Sequence, residues 1–143
     1  MIYSLATNPF TLGDLHPIFL HFPIVWVTTA FLCDLIFLFK RRLILSQIAD
    51  WFMIGAAALA LPTVITGLLA AGSSIDPTII THRNWALITF IFTLLHALYR
   101  GYSLYHGRAN PNYIILSAIN LCLVDITADY GGLIAFGTSL FAQ

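Results

Sequence analysis

The chain has very little charge. Only 8% of its 143 residues are Asp, Glu, Lys or Arg, whereas a soluble domain has about 25%. All six acidic residues are aspartates, and six Lys and Arg bring the net charge to zero. A water-facing surface needs interspersed charge, and a nucleic-acid-binding face needs clustered Lys and Arg. The composition excludes an ordinary soluble domain and predicts no nucleic-acid partner.

Cysteine is also scarce, and the usual patterns of catalytic residues are missing. Cys33 and Cys122 both lie in apolar segments. At about 1.5 Å per helical residue they fall at different depths, which argues against a disulfide between them. The sequence contains no nucleophile–base set and no glycine-rich phosphate loop. We therefore expect a protein that is not an enzyme on its own.

Long hydrophobic segments make up most of the chain. Hydrophobic residues account for 59% of it, the mean hydropathy is +0.90, and a membrane-spanning helix needs about 20 such residues. Four segments qualify: 15–39, 51–71, 83–105 and 111–128. They predict an all-α integral membrane four-helix bundle that forms a single transmembrane domain over residues 1–143. The apolar tail, residues 131–143, is too short to span and should lie at the interface or re-enter.

Several residues suggest how these helices begin, bend and pack. Pro17 is suited to open the first helix, and Asn110 is suited to cap the fourth, ahead of Pro111. Pro23 and Pro62 should bend their helices. The second helix is rich in glycine and alanine, which predicts a closely packed seam.

The positions of Lys and Arg predict the orientation. Residues 40–42 are all basic and join the first two helices, and Arg100 and Arg108 flank the connection between the last two. Only Arg83 lies on the other side. Because cytoplasmic loops are enriched in Lys and Arg, both basic connections should be cytoplasmic and both termini non-cytoplasmic.

Ionisable residues inside a membrane span are costly, which makes them the first candidates for function. Helices one and three run inward and helix four runs outward, so one end of the bundle should collect most of these side chains. The expected group is His16, His21, His82, Arg83, Asp125 and Asp129. His21 should lie about 8 Å deeper than His16.

One hypothesis for this group is a haem b or another tetrapyrrole. Its iron needs two imidazole ligands from facing helices, and depth favours His21 and His82 as the pair. His16 is an alternative ligand or an outer hydrogen-bond partner. Asp125 or Asp129 could orient an imidazole.

His96 raises the question of a second haem. It lies fourteen residues after His82 on nearly the same helix face, about 21 Å along the axis. The sequence supplies no other histidine at that depth, so a second haem would need a ligand from another subunit. We favour instead a hydrogen bond between His96 and Asn120.

Two other interpretations stay open. The imidazoles and carboxylates could hold a metal ion without haem, or they could form a purely structural network that locks the helix ends together. Asp34 is expected to reach the interface beside Lys40 or to pair with Arg41, with a proton-relay role as the alternative. His106 is expected to be a solvated loop residue.

The residues from Leu15 to Ile24 read LHPIFLHFPI. This stretch resembles the L-H-P-x-x-x-H-F-P-I signature of an uncharacterised bacterial four-helix membrane family, domain of unknown function 2231. Further similarities are Cys33-Asp34-Leu35, Gly67, His82 followed by Asn84, and Gly131-Gly132.

The resemblance implies a four-helix protein of the bacterial inner membrane. Family members often have a further histidine, in a Tyr-x-His-Gly context, just after the glycine pair, whereas residues 135–139 here contain none. Some members are fused to c-type cytochrome modules, which implies a redox setting. We therefore expect a small subunit of a redox or energy-transducing complex that assembles with other membrane subunits or with its own copies, or else a purely structural accessory subunit.

Overall fold

The computed structural model describes residues 10–137, and they form helices joined by short connections. A 3-10 turn, Leu12–Leu15, leads into α1, His16–Phe19, and α2, His21–Lys40. The remaining helices are α3, Leu43–Ala71, α4, Pro77–Tyr105, and α5, Tyr113–Phe136. Four spans are long and apolar enough to cross a membrane, the first being Leu12–Lys40 and the others α3, α4 and α5. The predicted all-helical fold with four helices able to span a membrane is confirmed.

Two helices begin well before their predicted starts. The second spanning helix begins at Leu43 rather than at residue 51, and the third begins at Pro77 rather than at residue 83. Asp76 caps α4, since its Oδ1 accepts hydrogen bonds from the backbone N–H groups of Thr78 and Ile79, and Pro77 occupies the first turn.

The last helix continues through the glycine pair. Gly131 and Gly132, predicted to begin a separate tail, lie inside α5, which ends at Phe136; glycine is well tolerated in membrane helices. Residues 138–143 of that tail lie outside the described residues. Asn110 does not cap the helix as predicted. Its Oδ1 accepts the N–H of Asn112 in the turn that precedes α5.

Proline affects the first span but leaves α3 continuous. Pro23 has no N–H, so the carbonyl of Phe19 loses its usual helical partner, and α1 and α2 are separated at Leu20. The Thr63 hydroxyl lies 3.2 Å from that carbonyl oxygen, and 2.9 Å from the Leu59 carbonyl oxygen of its own helix. By contrast, α3 runs through Pro62 without interruption.

The four long helices pack as a ring in which α2, α3, α4 and α5 each touch two neighbours. This arrangement makes α2 and α4 diagonal partners across the bundle axis. Small buried side chains, among them Ala30, Ala49 and Ala56, let the backbones approach closely. The outward faces carry large apolar side chains such as Leu95 and Leu98, which suits contact with lipid.

The two halves of the chain correspond position by position, which the sequence analysis did not detect. His16 and Asp34 are separated by the same number of residues as His82 and Arg100. The same spacing relates the buried residues of α2 to those of α4. In order, the matched pairs are Val27 with Thr93, Ala30 with His96, Asp34 with Arg100, and Phe37 with Ser103. The buried residues of α3 and α5 also correspond when positions are counted back from Thr63 in α3 and from Thr127 in α5. In order, the matched pairs are Ala49 with Tyr113, Met53 with Ser117, Ala56 with Asn120, and Ala60 with Val124. The bundle is therefore built from two similar helical hairpins, and the second carries most of the buried polar side chains.

Close packing in the first hairpin can be tested at Gly55. A Cβ atom there would overlap the Trp26 indole ring, whereas a Cβ at Gly101 would meet only Ile54 Cδ1, at 3.8 Å. We expect Gly55→Ala to lower the free energy of unfolding by about 1–3 kcal/mol through overpacking, measured by titration with a denaturing detergent. Gly101→Ala is the matched control and should unfold like the wild type. Equal behaviour of the two variants would contradict the packing described here.

Candidate functional site

His16 opens α1 and packs against α3. Its Nδ1 lies 3.0 Å from the carbonyl oxygen of Thr63. One turn further along α3, Gly67 faces the same ring, and a Cβ at this position would lie only 2.8 Å from His16 Cε1. Glycine therefore gives the imidazole the room it needs.

His82, near the start of α4, has matching surroundings in the second hairpin. Its Nδ1 lies 3.0 Å from the carbonyl oxygen of Thr127 in α5. Gly131, one turn further along α5, is the residue whose Cβ would lie 3.3 Å from His82 Cε1. Each hairpin therefore binds its histidine through a threonine carbonyl and accommodates the ring with a glycine.

The two imidazoles meet across the bundle axis. We call His16 and His82 the histidine pair; their ring centroids are 6.4 Å apart and their planes are inclined by 76°. A backbone carbonyl can only accept, so each Nδ1 must carry the proton and donate it. In the neutral ring Nε2 then holds an unshared electron pair. Both histidines are thus in the tautomer that binds metals through Nε2.

The spacing of the histidine pair suits one metal ion between two imidazoles. Two metal–nitrogen bonds of about 2 Å, together with the distance from nitrogen to ring centre on each side, give roughly 6 Å between ring centres. Among residues 10–137 no group of three or more His, Cys, Asp or Glu side chains is placed to hold a metal ion.

The other residues predicted at this end have different roles. His21 is exposed, and its Nδ1 bonds to the Pro17 carbonyl of the same segment at 2.6 Å, so the ring that meets His82 is that of His16. Arg83 is partly buried, Asp125 is exposed and Asp129 is partly buried. The Nδ1 atoms of the histidine pair are oriented by backbone carbonyls, the role predicted for Asp125 or Asp129.

A second polar group, which the sequence analysis did not assemble, surrounds Arg100. This side chain is fully buried. Its Nε donates to His96 Nε2 at 2.9 Å, its Nη1 donates to Asp50 Oδ1 at 2.9 Å, and its Nη2 bonds to Asp34 Oδ2 and to Ser117 Oγ. Ser117 also donates to Asp34 Oδ2, at 2.6 Å. We call these five residues the arginine cluster.

Aromatic and hydroxyl groups enclose the arginine cluster. The Tyr113 ring lies under the guanidinium, with Arg100 Cζ 4.6 Å from the ring centroid, a cation–π geometry. The Tyr113 hydroxyl bonds to Ser103 Oγ. The cluster lies about one to two and a half turns inside the helix ends at the α2–α3 and α4–α5 connections, so it is at the opposite end of the bundle from the histidine pair.

The arginine cluster corrects three predictions. Asp34 pairs with Arg100 inside the bundle, not with Arg41 or with the interface. Arg100 is buried and does not flank a loop, so it does not count toward the orientation. His96 does not bond to Asn120, because Asn120 Oδ1 accepts from Thr93 Oγ1 at 2.8 Å.

The position of His96 also weakens the hypothesis of a second haem. Its Nε2 electron pair accepts the Arg100 Nε–H and is not available to a metal. His106, by contrast, is exposed in the α4–α5 connection, as predicted for a solvated loop residue.

Asp50 was missed because the predicted second span begins at residue 51, whereas α3 begins a full two turns earlier. One sequence signal could have revealed part of the arginine cluster. The equal spacing of His16 to Asp34 and His82 to Arg100 places the acid and the base at the same depth on two helices that run in the same direction. Depth counting from the histidines would therefore have paired Asp34 with Arg100.

Comparison with known proteins assigns the chain to a family. Residues 13–141 match the family described as "Predicted membrane protein (DUF2231)". The match covers most of the chain, so the protein belongs to this membrane family, as its helix-one motif suggested. No curated protein and no solved structure matches the chain.

The arginine cluster generates a prediction about stability. Arg100→Gln removes the only positive charge that contacts Asp34 and Asp50 among the described residues. Since breaking a buried ion pair leaves an uncompensated charge, we expect a loss of about 3–5 kcal/mol in the free energy of unfolding, measured in detergent micelles. Arg108→Gln, at an exposed position, is the control and should change stability little. A fully stable Arg100→Gln variant would show that the cluster does not hold the bundle together.

Proposed function

We propose that this chain is a small membrane subunit of a redox or energy-transducing complex and that His16 and His82 would hold the iron of a haem b or a related tetrapyrrole. The observation that carries the proposal is the histidine pair itself. Two imidazoles from facing helices lie with their ring centroids 6.4 Å apart, and in each ring the Nδ1 bond leaves Nε2 as the nitrogen that could bind a single iron. When bound, the iron supplies one-electron transfer; the protein supplies the two ligands and their orientation.

The backbone around the histidine pair supports this function. The carbonyls of Thr63 and Thr127 fix both tautomers and make the imidazoles more basic ligands. Gly67 and Gly131 leave the rings the space to take up that orientation. His82 thus keeps the role that the sequence predicted for it, and His16 takes the role predicted for His21.

The competing function is structural. Each histidine already joins two helices through its Nδ1 bond, and two such bonds would lock the end of the bundle whether or not a metal binds. Under this alternative the protein is an accessory or scaffold subunit. The two functions differ in what they require of Nε2, which only ligation uses.

Absorption spectra of matched histidine variants distinguish these functions. We expect the purified wild type, expressed with an ample supply of haem, to show a reduced Soret band and an α-band. His16→Ala and His82→Ala should each lose most of this absorbance because one of the two proposed iron ligands is missing. His21→Ala, whose exposed ring lies outside the pair, is the control and should keep it. A folded but colourless wild type would reject haem binding, and destabilised His16→Ala and His82→Ala variants without any spectral difference would support the structural role.

The proposed orientation places the histidine pair near the non-cytoplasmic side of an inner membrane. Lys40, Arg41, Arg42 and Arg108 are all exposed at the opposite end of the bundle, where cytoplasmic basic residues are expected. Even without Arg100, the balance of Lys and Arg still favours this arrangement, in which both termini are non-cytoplasmic.

Cysteine labelling in intact cells tests the orientation. With Cys33 and Cys122 replaced by alanine, a single cysteine is introduced at Ile75, 89% exposed in the α3–α4 connection, or at exposed His106 in the α4–α5 connection. A membrane-impermeant thiol reagent should label Ile75→Cys in intact cells, and His106→Cys only after the cells are opened. The reverse pattern would invert the topology.

A further inference from the structure

The arginine cluster contains fewer positive than negative charges when both of its carboxyl groups are ionised. Arg100 contributes one positive charge, and the carboxylates of Asp34 and Asp50 contribute two negative charges if both are ionised. His96 cannot supply the missing positive charge, because its Nε2 accepts the Arg100 Nε–H and must therefore hold an electron pair. With both carboxylates ionised, the cluster would have a net charge of −1.

No neighbouring group balances this charge within the described residues. The cluster and its electrostatic neighbours draw titratable groups from all four long helices. They are Cys33 and Asp34 from α2, Asp50 from α3, His96 and Arg100 from α4, and Tyr113 from α5, and Tyr113 is in turn next to Tyr99 of α4. Arg100 is the one group among them that is positively charged. A net charge enclosed in a membrane bundle is strongly unfavourable, and a carboxyl group can remove it by taking up a proton.

The hydrogen bonds distinguish the two carboxyls. Asp34 Oδ2 accepts from both Arg100 Nη2 and Ser117 Oγ, which favours the ionised form. Asp50 accepts a single hydrogen bond, from Arg100 Nη1. Both carboxyls are almost completely buried, Asp34 at 3% and Asp50 at 1% exposure, so the difference between them lies in their hydrogen bonds. Of the two groups, Asp50 is therefore the one that takes the proton more readily.

Ser46 extends this polar group toward the nearest connection. It lies one turn before Asp50 on the same face of α3 and is 1% exposed, and its Oγ has no hydrogen-bond partner among the described residues. Buried polar groups are normally paired, and a hydroxyl can both accept and donate a proton. Ser46 is three residues from Leu43, where α3 begins. The exposed residues Arg41 and Arg42 directly precede that helix start.

We propose that Asp34, Asp50 and Arg100 form a proton-binding site that holds one exchangeable proton on Asp50, and that Ser46 connects Asp50 to water at the α2–α3 connection. The proton bound by Asp50 neutralises the cluster while the Arg100–Asp34 pair stays ionised. The site lies at the opposite end of the bundle from the histidine pair and does not depend on a bound metal. Failure of the haem proposal would therefore leave it standing.

Carbon-13 NMR of the aspartate-labelled protein in micelles tests where the proton resides. Six carboxyl signals are expected, assigned through single Asp→Asn variants. At neutral pH the Asp50 signal should have the chemical shift of a protonated carboxyl, and the Asp34 signal that of a carboxylate. The proposal is overturned if both groups are ionised or if Asp34 is the protonated one.

The pH dependence of folding provides a second test. The folded state holds a proton that an unfolded, solvated Asp50 has released at neutral pH. The unfolding equilibrium constant should therefore rise with pH, by about tenfold per unit, until folded Asp50 also ionises. Asp50→Asn should abolish this rise while keeping the Arg100–Asp34 pair. Asp76→Asn is the control, because asparagine also caps helices well, and it should behave like the wild type. An Asp50→Asn variant with an unchanged pH dependence would contradict the proposal.

Two further measurements test the ligand and the path. If a monovalent cation rather than a proton balances the charge, replacing sodium and potassium by choline will shift the Asp50 titration by more than ionic strength explains, and the proposal fails.

Ser46→Ala should slow hydrogen–deuterium exchange at the Asp50 carboxyl several-fold without changing its protonation at neutral pH. An unchanged exchange rate would remove Ser46 from the path.

Discussion

Within residues 10–137 the guanidinium of Arg100 links all four long helices. It bonds to Asp34 of α2, Asp50 of α3 and Ser117 of α5, and within α4 to His96. In a bilayer no hydrophobic force drives helices together, so van der Waals packing and polar contacts must do so. Arginine suits this place because its planar group presents five donors in fixed directions. A lysine would supply the charge but not the geometry.

The polar residues follow one face of α4. Thr89, Thr93, His96, Arg100 and Ser103 are all buried and recur at helical spacing. This stripe begins near His82 and ends in the arginine cluster, roughly 27 Å further along at about 1.5 Å per residue. The hydroxyl groups in between are bonded locally or to α5, as Thr89 is to Thr127 and Thr93 is to Asn120. The bundle therefore has a polar interior on the α4 side and small apolar side chains opposite.

The sequence predicted how deep each histidine lies along the bundle better than which way its side chain faces. Hydropathy identified the four spans, and counting along the helices brought His16 and His82 to the same level. Counting did not show which way each side chain faces. The break at Leu20 separates His16 from His21, and only the ring of His16 meets His82.

The arginine cluster was missed for a different reason. The predicted second span followed the apolar run from residue 51 to residue 71 and so left out Asp50. The helix continues past it because Arg100, distant in sequence, provides a partner. Contacts of this kind depend on tertiary packing and are not visible in local composition. The matching spacing in the two hairpins indicated one of these contacts, the pairing of Asp34 with Arg100.

The likeness of the two hairpins has a consequence for how such a bundle can be assembled. If two identical hairpins associated about a two-fold axis, every diagonal position would place a side chain opposite its own copy. Histidine opposite histidine is acceptable under that symmetry, since one metal ion can bind both rings. An acid opposite an acid, or a base opposite a base, is not. Because Asp34 and Arg100 occupy equivalent positions, the end of the bundle that holds them requires two halves that differ, and a single chain provides them in a fixed ratio of one to one.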